Sequence, residues 1–160
     1  MLLLLIRHAI AADPDPEKYD DDALRPLLEK GRRIQRRVSR RLVKEGFTPD
    51  RVFSSPWKRA WQTARIVVEE AGIGRANRFP CSALAQPPDL SALAAEIGSV
   101  SPDERIALVG HEPWMSGLAA LLLAGSPGAL NVDFPKSGIM AIQAMLVEAG
   151  VGELVFFWRP

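Results

Sequence analysis

The sequence has only one cysteine and two histidines among its 160 residues. A single cysteine excludes an intramolecular disulfide framework and any zinc site built from cysteines. Two histidines are too few for a histidine-rich metal site. Neither sign of charge is in excess, because 20 basic residues against 19 acidic ones leave a formal net charge of +1. That balance is not typical of a uniformly basic nucleic-acid-binding protein or of an acidic disordered tail.

Long hydrophobic runs near the N-terminus are missing as well. The apolar run at residues 2–6 is too short to span a bilayer or to form the core of a secretory signal. Arg7 and His8 follow it directly. We therefore expect a cytoplasmic protein. A composition with 48% hydrophobic and 24% charged residues is typical of a folded globular protein. The length fits a single domain over residues 1–160.

Apolar runs alternate with longer amphipathic patterns, as in α/β domains. The pattern predicts strands at residues 2–6, 51–54, 79–84, 106–109, 139–147 and 153–158. It predicts helices at residues 26–45, 56–71, 90–97 and 113–124. Proline at the start of a helix and glycine after its end support several of these boundaries, such as Pro26 and Gly46.

Both histidines fall where a predicted strand ends. Arg7 and His8 follow the first strand, and His111 follows the strand at residues 106–109. Arg59 lies in the first turn of the helix after the second strand. Because ligands of open α/β sheets bind at the carboxyl ends of the strands, we expect these side chains to face one crevice. Crowded cations indicate an anionic ligand, and a tetrahedral phosphoryl group fits two guanidinium groups and an imidazole.

Other phosphate and metal motifs are not matched. There is no Walker loop. Gly72 and Gly74 follow a helix and lack a third glycine, unlike a dinucleotide-binding loop. The acidic segment around Asp13 and Asp15 does not fit a calcium loop, because Lys18 stands where the turn glycine is required.

The strand-end residues resemble three motifs of the histidine phosphatase superfamily, which includes the cofactor-dependent phosphoglycerate mutases. The matching segments are Arg7-His8-Ala9, residues 55–63 and residues 110–113. Residues 24–27 with Gly31, and Ser137-Gly138 before a strand, are similar to the SixA-type phosphohistidine phosphatases. The resemblance implies a three-layer α/β/α sandwich, with a mostly parallel sheet and helices on both faces.

The resemblance also implies roles for the site residues. His8 is the expected nucleophile, which forms a transient phosphohistidine. Arg7, Arg59 and His111 are expected to hold the phosphoryl oxygens and to stabilise charge in the transition state. Ser137 is a further expected substrate-binding residue. No metal and no cofactor is implied, because the positive charges belong to the protein.

Two features depart from the family pattern. Ala9 replaces the signature glycine, which requires a negative φ at that position. Many members carry an acidic proton donor between the second and third motifs. Here Asp89 is the candidate donor, and it is equally suited to be a helix N-cap. A missing strong acid favours phosphohistidine, because its P–N bond is labile and an alkoxide leaving group needs protonation more.

We therefore expect a phosphatase that acts on phosphohistidine in a protein. Two alternatives stay open: a phosphatase for a small phosphorylated metabolite, and a phosphate-binding regulatory module without turnover. The presence of a nucleophile argues against the module, because binding alone does not need one. The expected partner is a histidine-phosphorylated domain or a small phosphorylated substrate. We expect no nucleic acid, no membrane and a monomeric protein.

One predicted helix is strongly basic. Its eight cationic residues are Lys30, Arg32, Arg33, Arg36, Arg37, Arg40, Arg41 and Lys44. The preceding loop holds six acidic residues: Asp13, Asp15, Glu17, Asp20, Asp21 and Asp22. The simplest interpretation is a solvated helix face partly neutralised by these acids. Docking of an acidic phosphoprotein or weak polyanion binding is the alternative. No aromatic residue interleaves the run, so a base-stacking nucleic-acid platform is not indicated.

Overall fold

Strands and helices alternate along the chain, as the apolar pattern predicts. The structure is a computed structural model that describes all 160 residues. The strands are β1 (Leu2–Arg7), β2 (Arg51–Ser54), β3 (Arg78–Pro80), β4 (Arg105–Gly110), β5 (Ile139–Gln143) and β6 (Glu153–Trp158). The α-helices are α1 (Glu29–Lys44), α2 (Lys58–Ala71), α3 (Leu90–Ile97) and α4 (Trp114–Ala124). In none of the helices do length and apolar character suffice for crossing a membrane.

The six strands form one sheet in the order β3-β2-β4-β1-β5-β6. The strands β3, β2, β4 and β1 pair in parallel, whereas β5 runs antiparallel to both of its neighbours. The predicted mostly parallel sheet is therefore confirmed. In the β1–β4 register Arg7 lies opposite Gly110. The residues that follow these two strands, His8 and His111, consequently leave the sheet side by side.

Helices cover both faces of the sheet, and the central strands are buried on both. Leu3 and Leu5 of β1 pack in a cluster with α3 and α4 on one face. Leu4 and Ile6 pack in a second cluster with α1 and α2 on the other face. These four side chains are fully buried, which stabilises the fold by about 1.5–3 kcal/mol each. The three-layer α/β/α sandwich is thus confirmed.

Two predicted strands are too long, and both end where their partner strand ends. The strand predicted at residues 79–84 stops at Pro80, which lies opposite Ser54, the last residue of β2. Residues Ser82–Ala85 form a 3₁₀ helix instead. The strand predicted at residues 139–147 stops at Gln143, opposite Leu2, where β1 begins. A strand continues only while a neighbour supplies hydrogen-bond partners.

Two helix starts were predicted too early. The first helix begins at Glu29 rather than at Pro26, because Leu27 is held outside it. Leu27 forms an isolated antiparallel bridge with Ala11, and its N–H donates to the side chain of Gln62 at 2.8 Å. The second helix begins at Lys58, two residues after Pro56.

The first turn of α1 lies against the loop that follows β1. A Cβ atom on Gly31 would lie 2.2 Å from the carbonyl oxygen of Ile10 and 2.8 Å from its nitrogen. Both are backbone atoms, so the clash cannot be relieved by moving a side chain. Only glycine allows α1 to approach the loop this closely.

We expect Gly31→Ala to destabilise the fold by about 1–3 kcal/mol, because the added methyl group forces backbone apart. The same change in an open helix interior would stabilise by about 1 kcal/mol. Urea denaturation measures the difference. Arg37→Ala, on the exposed side of the same helix, is the control and should change stability by less than about 0.5 kcal/mol. A Gly31→Ala protein as stable as the wild type would contradict the close approach.

Candidate active site

The predicted site residues converge at the carboxyl ends of the parallel strands. A cleft of about 470 Å³ opens there, and Arg7, His8, Arg59 and His111 all line it. The ring centroids of the two histidines are 5.1 Å apart. Both rings are nearly inaccessible, with 7% of His8 and 2% of His111 exposed. The structure therefore brings the four side chains together in one partly desolvated place.

The hydrogen bonds of His8 determine which ring nitrogen carries the proton. Its Nδ1 atom lies 2.7 Å from the carbonyl oxygen of Ala9. A carbonyl can only accept, so Nδ1 must be the donor in this contact. The other nitrogen, Nε2, accepts a hydrogen bond from Nε of Arg59 at 3.3 Å. His8 therefore presents the lone pair of Nε2 to the cleft side of the ring, next to a guanidinium group.

Ala9 adopts the backbone conformation that its side chain requires. It does not have positive φ, since Ser137 alone among non-glycine residues does. The N–H of Ala9 donates to Oγ1 of Thr63 at 3.1 Å, and that hydroxyl donates to the carbonyl oxygen of Arg59 at 2.8 Å. Thr63 thus ties the loop after β1 to the first turn of α2. This contact fixes His8 and Arg59 relative to each other.

Arg59 is held by contacts on both sides of its guanidinium group. Its Nη1 donates to the carbonyl oxygen of Asp22 at 2.7 Å, and its Nη2 lies 2.9 Å from the carboxylate of the same residue. The ring of Trp57 lies 4.6 Å from the guanidinium carbon. Asp22 also accepts from Nε of Arg25 at 2.6 Å, and this hydrogen bond holds the pKa of the Asp22 carboxyl below its usual range.

His111 is oriented by the residues that follow β2. Its Nε2 lies 2.8 Å from Oγ of Ser55, and that oxygen accepts the N–H of Trp57 at 3.2 Å. The Ser55 hydroxyl can therefore donate to Nε2, which places the proton of the neutral ring on Nδ1. The Trp57 ring packs against His111 with centroids 4.6 Å apart, and Trp114 lies on another side at 6.1 Å. The imidazole is therefore fixed by one hydroxyl and two indole rings.

Several buried polar atoms of the site have no hydrogen-bond partner within the protein. Only four buried side-chain polar atoms in the chain lack one: Arg7 Nε, His111 Nδ1, Ser137 Oγ and Gln35 Oε1. The first three belong to residues that the sequence assigns to the site. Buried polar groups are normally paired, so this concentration marks a place where another polar group is to be bound.

Both histidines are neutral at physiological pH. Burial, together with the charges of Arg59 and Arg7, lowers the pKa of His8 to about 3. Burial, with the neighbouring His8 and Arg59, lowers the pKa of His111 to about 3. Burial also lowers the pKa of both guanidinium groups from 12.5. The site therefore joins two permanent cations to two neutral imidazoles, a combination suited to a dianionic ligand.

Ser137 and Asp89 lie outside the lining of the cleft. Ser137 is fully buried beside it, and its N–H donates to the carbonyl oxygens of Arg7 at 3.1 Å and His8 at 3.3 Å. Asp89 is the N-cap of α3, where its carboxylate accepts the N–H of Ala92 at 3.0 Å.

Nine further residues line the cleft and were not assigned as site residues from the sequence: Ala11, Asp13, Pro14, Asp22, Arg25, Trp57, Glu112, Trp114 and Lys136. Trp57 and Glu112 lie inside the quoted motifs, where proximity in the sequence to Arg59 and to His111 was a usable signal. Arg25 and Lys136 come from loops far apart in the chain. No periodic pattern marks such positions, and only the fold brings them to the site.

Comparisons with known proteins agree with this geometry. A family model of the histidine phosphatase superfamily (branch 1) matches residues 3–78. An uncharacterized protein of Picosynechococcus sp. is 33% identical over 146 residues, which cover 90% of this chain and 86% of that relative.

Solved structures share the fold over nearly the whole chain. The protein histidine phosphatase SixA in complex with tungstate has a TM-score of 0.83 at 23% identity, covering 100% of this chain and 97% of that one. A mycobacterial glucosyl-3-phosphoglycerate phosphatase in complex with VO3 has a TM-score of 0.68 at 19% identity, covering 99% and 98%. One architecture thus serves proteins named for different substrates.

We expect the depressed pKa of His8 to make folding stability depend on pH. The unfolded chain takes up a proton at His8 below about pH 6.5, whereas the folded chain does so only near pH 3. Stability is therefore lost as the pH falls through this window, by about 2 kcal/mol between pH 7 and pH 5. Urea denaturation of wild type and His8→Asn at both pH values isolates this contribution. An equal loss in both proteins would show that His8 titrates normally when folded.

We expect Asp89→Asn to keep both stability and kcat, because asparagine caps a helix as well as aspartate. Asp89→Ala should lose about 1 kcal/mol of stability with kcat retained. Thermal unfolding and steady-state phosphatase kinetics measure the two effects separately. A stable Asp89→Asn protein with a strongly reduced kcat would instead identify Asp89 as a proton donor.

Proposed function

The chain belongs to the histidine phosphatase superfamily and is a phosphatase, and from that premise we propose that it hydrolyses phosphohistidine in a protein, with His8 as nucleophile. The observation that carries the proposal is the tautomer of His8. The carbonyl oxygen of Ala9 holds the proton on Nδ1, so Nε2 carries the lone pair, and a phosphoryl group that displaces the 3.3 Å hydrogen bond from Arg59 Nε is open to its attack.

In the first step of the proposed reaction, Nε2 of His8 forms a bond to phosphorus while the bond between phosphorus and the substrate nitrogen breaks. The substrate imidazole, which carries a proton on its other ring nitrogen, leaves as a neutral imidazole with the electron pair of that bond. Positive charge develops on the His8 ring, and the Nδ1–H bond to Ala9 stabilises it. In the second step a water molecule attacks the phosphorus, the P–N bond to His8 breaks, and phosphate is released.

The charge of the phosphoryl oxygens is matched by groups that are already in place. Arg7 and Arg59, which line the cleft with His8, supply guanidinium donors. Nε of Arg7 and Nδ1 of His111 are buried without partners, so binding an oxygen there replaces no existing hydrogen bond. Preorganised donors of this kind stabilise a transition state without reorganisation.

The proposed reaction needs no carboxylic acid to protonate the leaving group. Asp89 caps α3 and does not line the cleft. Of the carboxylates that do line it, Asp22 pairs with Arg25 and Arg59, and Glu112 accepts hydrogen bonds from Ser116. An imidazole leaves from phosphorus more readily than an alkoxide does, so this arrangement suits a phosphoramidate better than a phosphate ester. This difference supports phosphohistidine over a sugar phosphate as the substrate.

A second candidate function is favoured by one feature of the cleft. Lys136 lines the cleft and forms no ion pair within the protein. A free ammonium group beside a phosphoryl site suits a small metabolite that carries a carboxylate as well as a phosphate. The mycobacterial phosphatase that shares the fold is named for such a compound.

We expect a phosphohistidine peptide to be hydrolysed with a kcat/KM at least about tenfold above that of phosphoserine peptides or phosphoglycerate esters. His8→Asn should lose about 10³-fold or more in kcat, because the nucleophile is gone. An alkali-quenched reaction of the wild type with ³²P-labelled substrate should contain labelled protein, and His8→Asn should not. Far-UV circular dichroism checks that the variant is folded.

Two outcomes would contradict this proposal. Full activity of a folded His8→Asn protein would remove His8 as the nucleophile. A higher kcat/KM for a carboxylated phosphate ester than for phosphohistidine would favour the metabolite phosphatase.

A further inference from the structure

The eight cationic residues of α1 fall into two sets. Four are engaged by other parts of the protein: Arg32 with Gln62, Arg36 and Arg40 with Glu70, and Arg41 with the ring of Trp158. The other four are Lys30, Arg33, Arg37 and Lys44, which are exposed and make no ion pair, side-chain hydrogen bond or aromatic contact. We call this second set the α1 stripe.

The α1 stripe lies along one side of the helix. Its members are spaced by three, four and seven residues, which places them on one face. At 1.5 Å per residue the stripe is about 21 Å long. Lys30, Arg33 and Arg37 line one shallow groove of about 360 Å³ together with Ile34. Three cationic side chains and one apolar side chain therefore line the groove.

The acidic loop before α1 does not neutralise the stripe. Its ion pairs run elsewhere, since Asp15 pairs with Lys18, and Asp22 pairs with Arg25 and Arg59. The carboxylates of Glu29 and Glu70 also lie near α1, and they form ion pairs with the engaged set. The four charges of the stripe are thus available to an external anion.

The stripe begins beside the active site. The N–H of Leu28, the residue before α1, donates to the carbonyl oxygen of Ile10 at 3.0 Å, two residues after His8. Lys30 is in the first turn of the helix. Leu24 and Leu28, which precede α1 in the chain, are 50% and 45% exposed. The stripe therefore starts at the end of α1 that rests on the loop carrying His8.

We propose that the α1 stripe docks an acidic surface of the histidine-phosphorylated protein while its phosphohistidine occupies the cleft. This inference rests on the proposed function and names the kind of partner that the site takes. The exposed Leu24 and Leu28 before α1, and Ile34 in the groove, suit the mixed polar and apolar surface of a protein. A small metabolite would reach none of these residues.

A protein fits this surface better than a nucleic acid or an anionic membrane. Asp13 and Asp22 line the cleft itself. A continuous polyanion that covered both the stripe and the cleft would be repelled by these carboxylates. A protein with a local acidic patch avoids them, because its charge is confined to the stripe.

The test uses two synthetic peptides, each with one phosphohistidine. In one peptide a flexible Gly/Ser linker of about ten residues, long enough to reach the stripe, leads to six Asp and Glu residues. In the other the six residues are Ser and Gly. The stripe variant is Lys30→Gln/Arg33→Gln/Arg37→Gln. The matched control is Arg36→Gln/Arg40→Gln/Arg41→Gln, which removes the same charge from the engaged set of the same helix.

We expect the KM of the acidic peptide to rise about tenfold in the stripe variant with kcat unchanged, since three exposed charge pairs are lost. The KM of the neutral peptide should stay within about twofold in every protein. The control variant should keep the wild-type preference for the acidic peptide. Added salt should weaken that preference in the wild type, because exposed charges are screened.

Equal KM values for the two peptides in the wild type would overturn docking and leave the proposed function intact. An equal loss in the stripe and control variants would also overturn it. If neither peptide were hydrolysed while phosphate esters were, the proposed function would fail. Docking would then be decided by fluorescence anisotropy with the unphosphorylated acidic peptide, whose affinity must fall in the stripe variant alone. Stronger binding of single-stranded DNA or anionic vesicles would overturn the assignment to a protein.

Discussion

The parallel pairing of β1 with β4 is the constraint on which the site depends. Arg7 lies opposite Gly110 in the register of the two strands. The residues that follow them, His8 and His111, therefore leave the sheet at the same level. The N–H of His8 donates to the carbonyl oxygen of Gly110 at 3.0 Å, which extends the pairing into the site. A shift of one residue in either strand would turn one imidazole towards the opposite face of the sheet.

Burial at the carboxyl edge of the sheet explains which side chains of the cleft are charged and which are neutral. Two guanidinium groups carry fixed charge, and neither imidazole can add to it because both pKa values are lowered to about 3. The single anion in direct contact with Arg59 is Asp22, whose carboxylate is 47% exposed and also binds Arg25. An exposed carboxylate is a weak counter-ion, so an incoming dianion competes with it readily. The same low dielectric keeps His8 neutral, which is the form that the proposed attack on phosphorus requires.

The sequence predicted most of this arrangement, because the relevant signals are local. Continuous apolar residues mark β1 and β4, and the residues just after them must lie at the carboxyl edge of the sheet. The bounds of β2 and α3 agree with the pattern. For α3 the reason is local, because Asp89 caps the start of the helix and Gly98 caps its end. Strand ends at Pro80 and Gln143 could not be predicted, because a partner strand decides them. Arg25 and Lys136 were missed for the same reason, as only tertiary contacts place them in the cleft.

The close approach of α1 links the basic helix to the chemistry. Gly31 lets the first turn of α1 rest on the backbone of Ile10, and Thr63 ties the same loop to Arg59. The loop that carries His8 is therefore clamped between α1 and α2. An anion bound along α1 would contact a helix that cannot shift without displacing this loop. The helix is thus a rigid platform, and in the proposed docking it would hold the acidic partner in a fixed position relative to Nε2 of His8. Fixed positioning of this kind is what a phosphoryl transfer between two imidazoles requires, since both nitrogens must lie in line with the phosphorus.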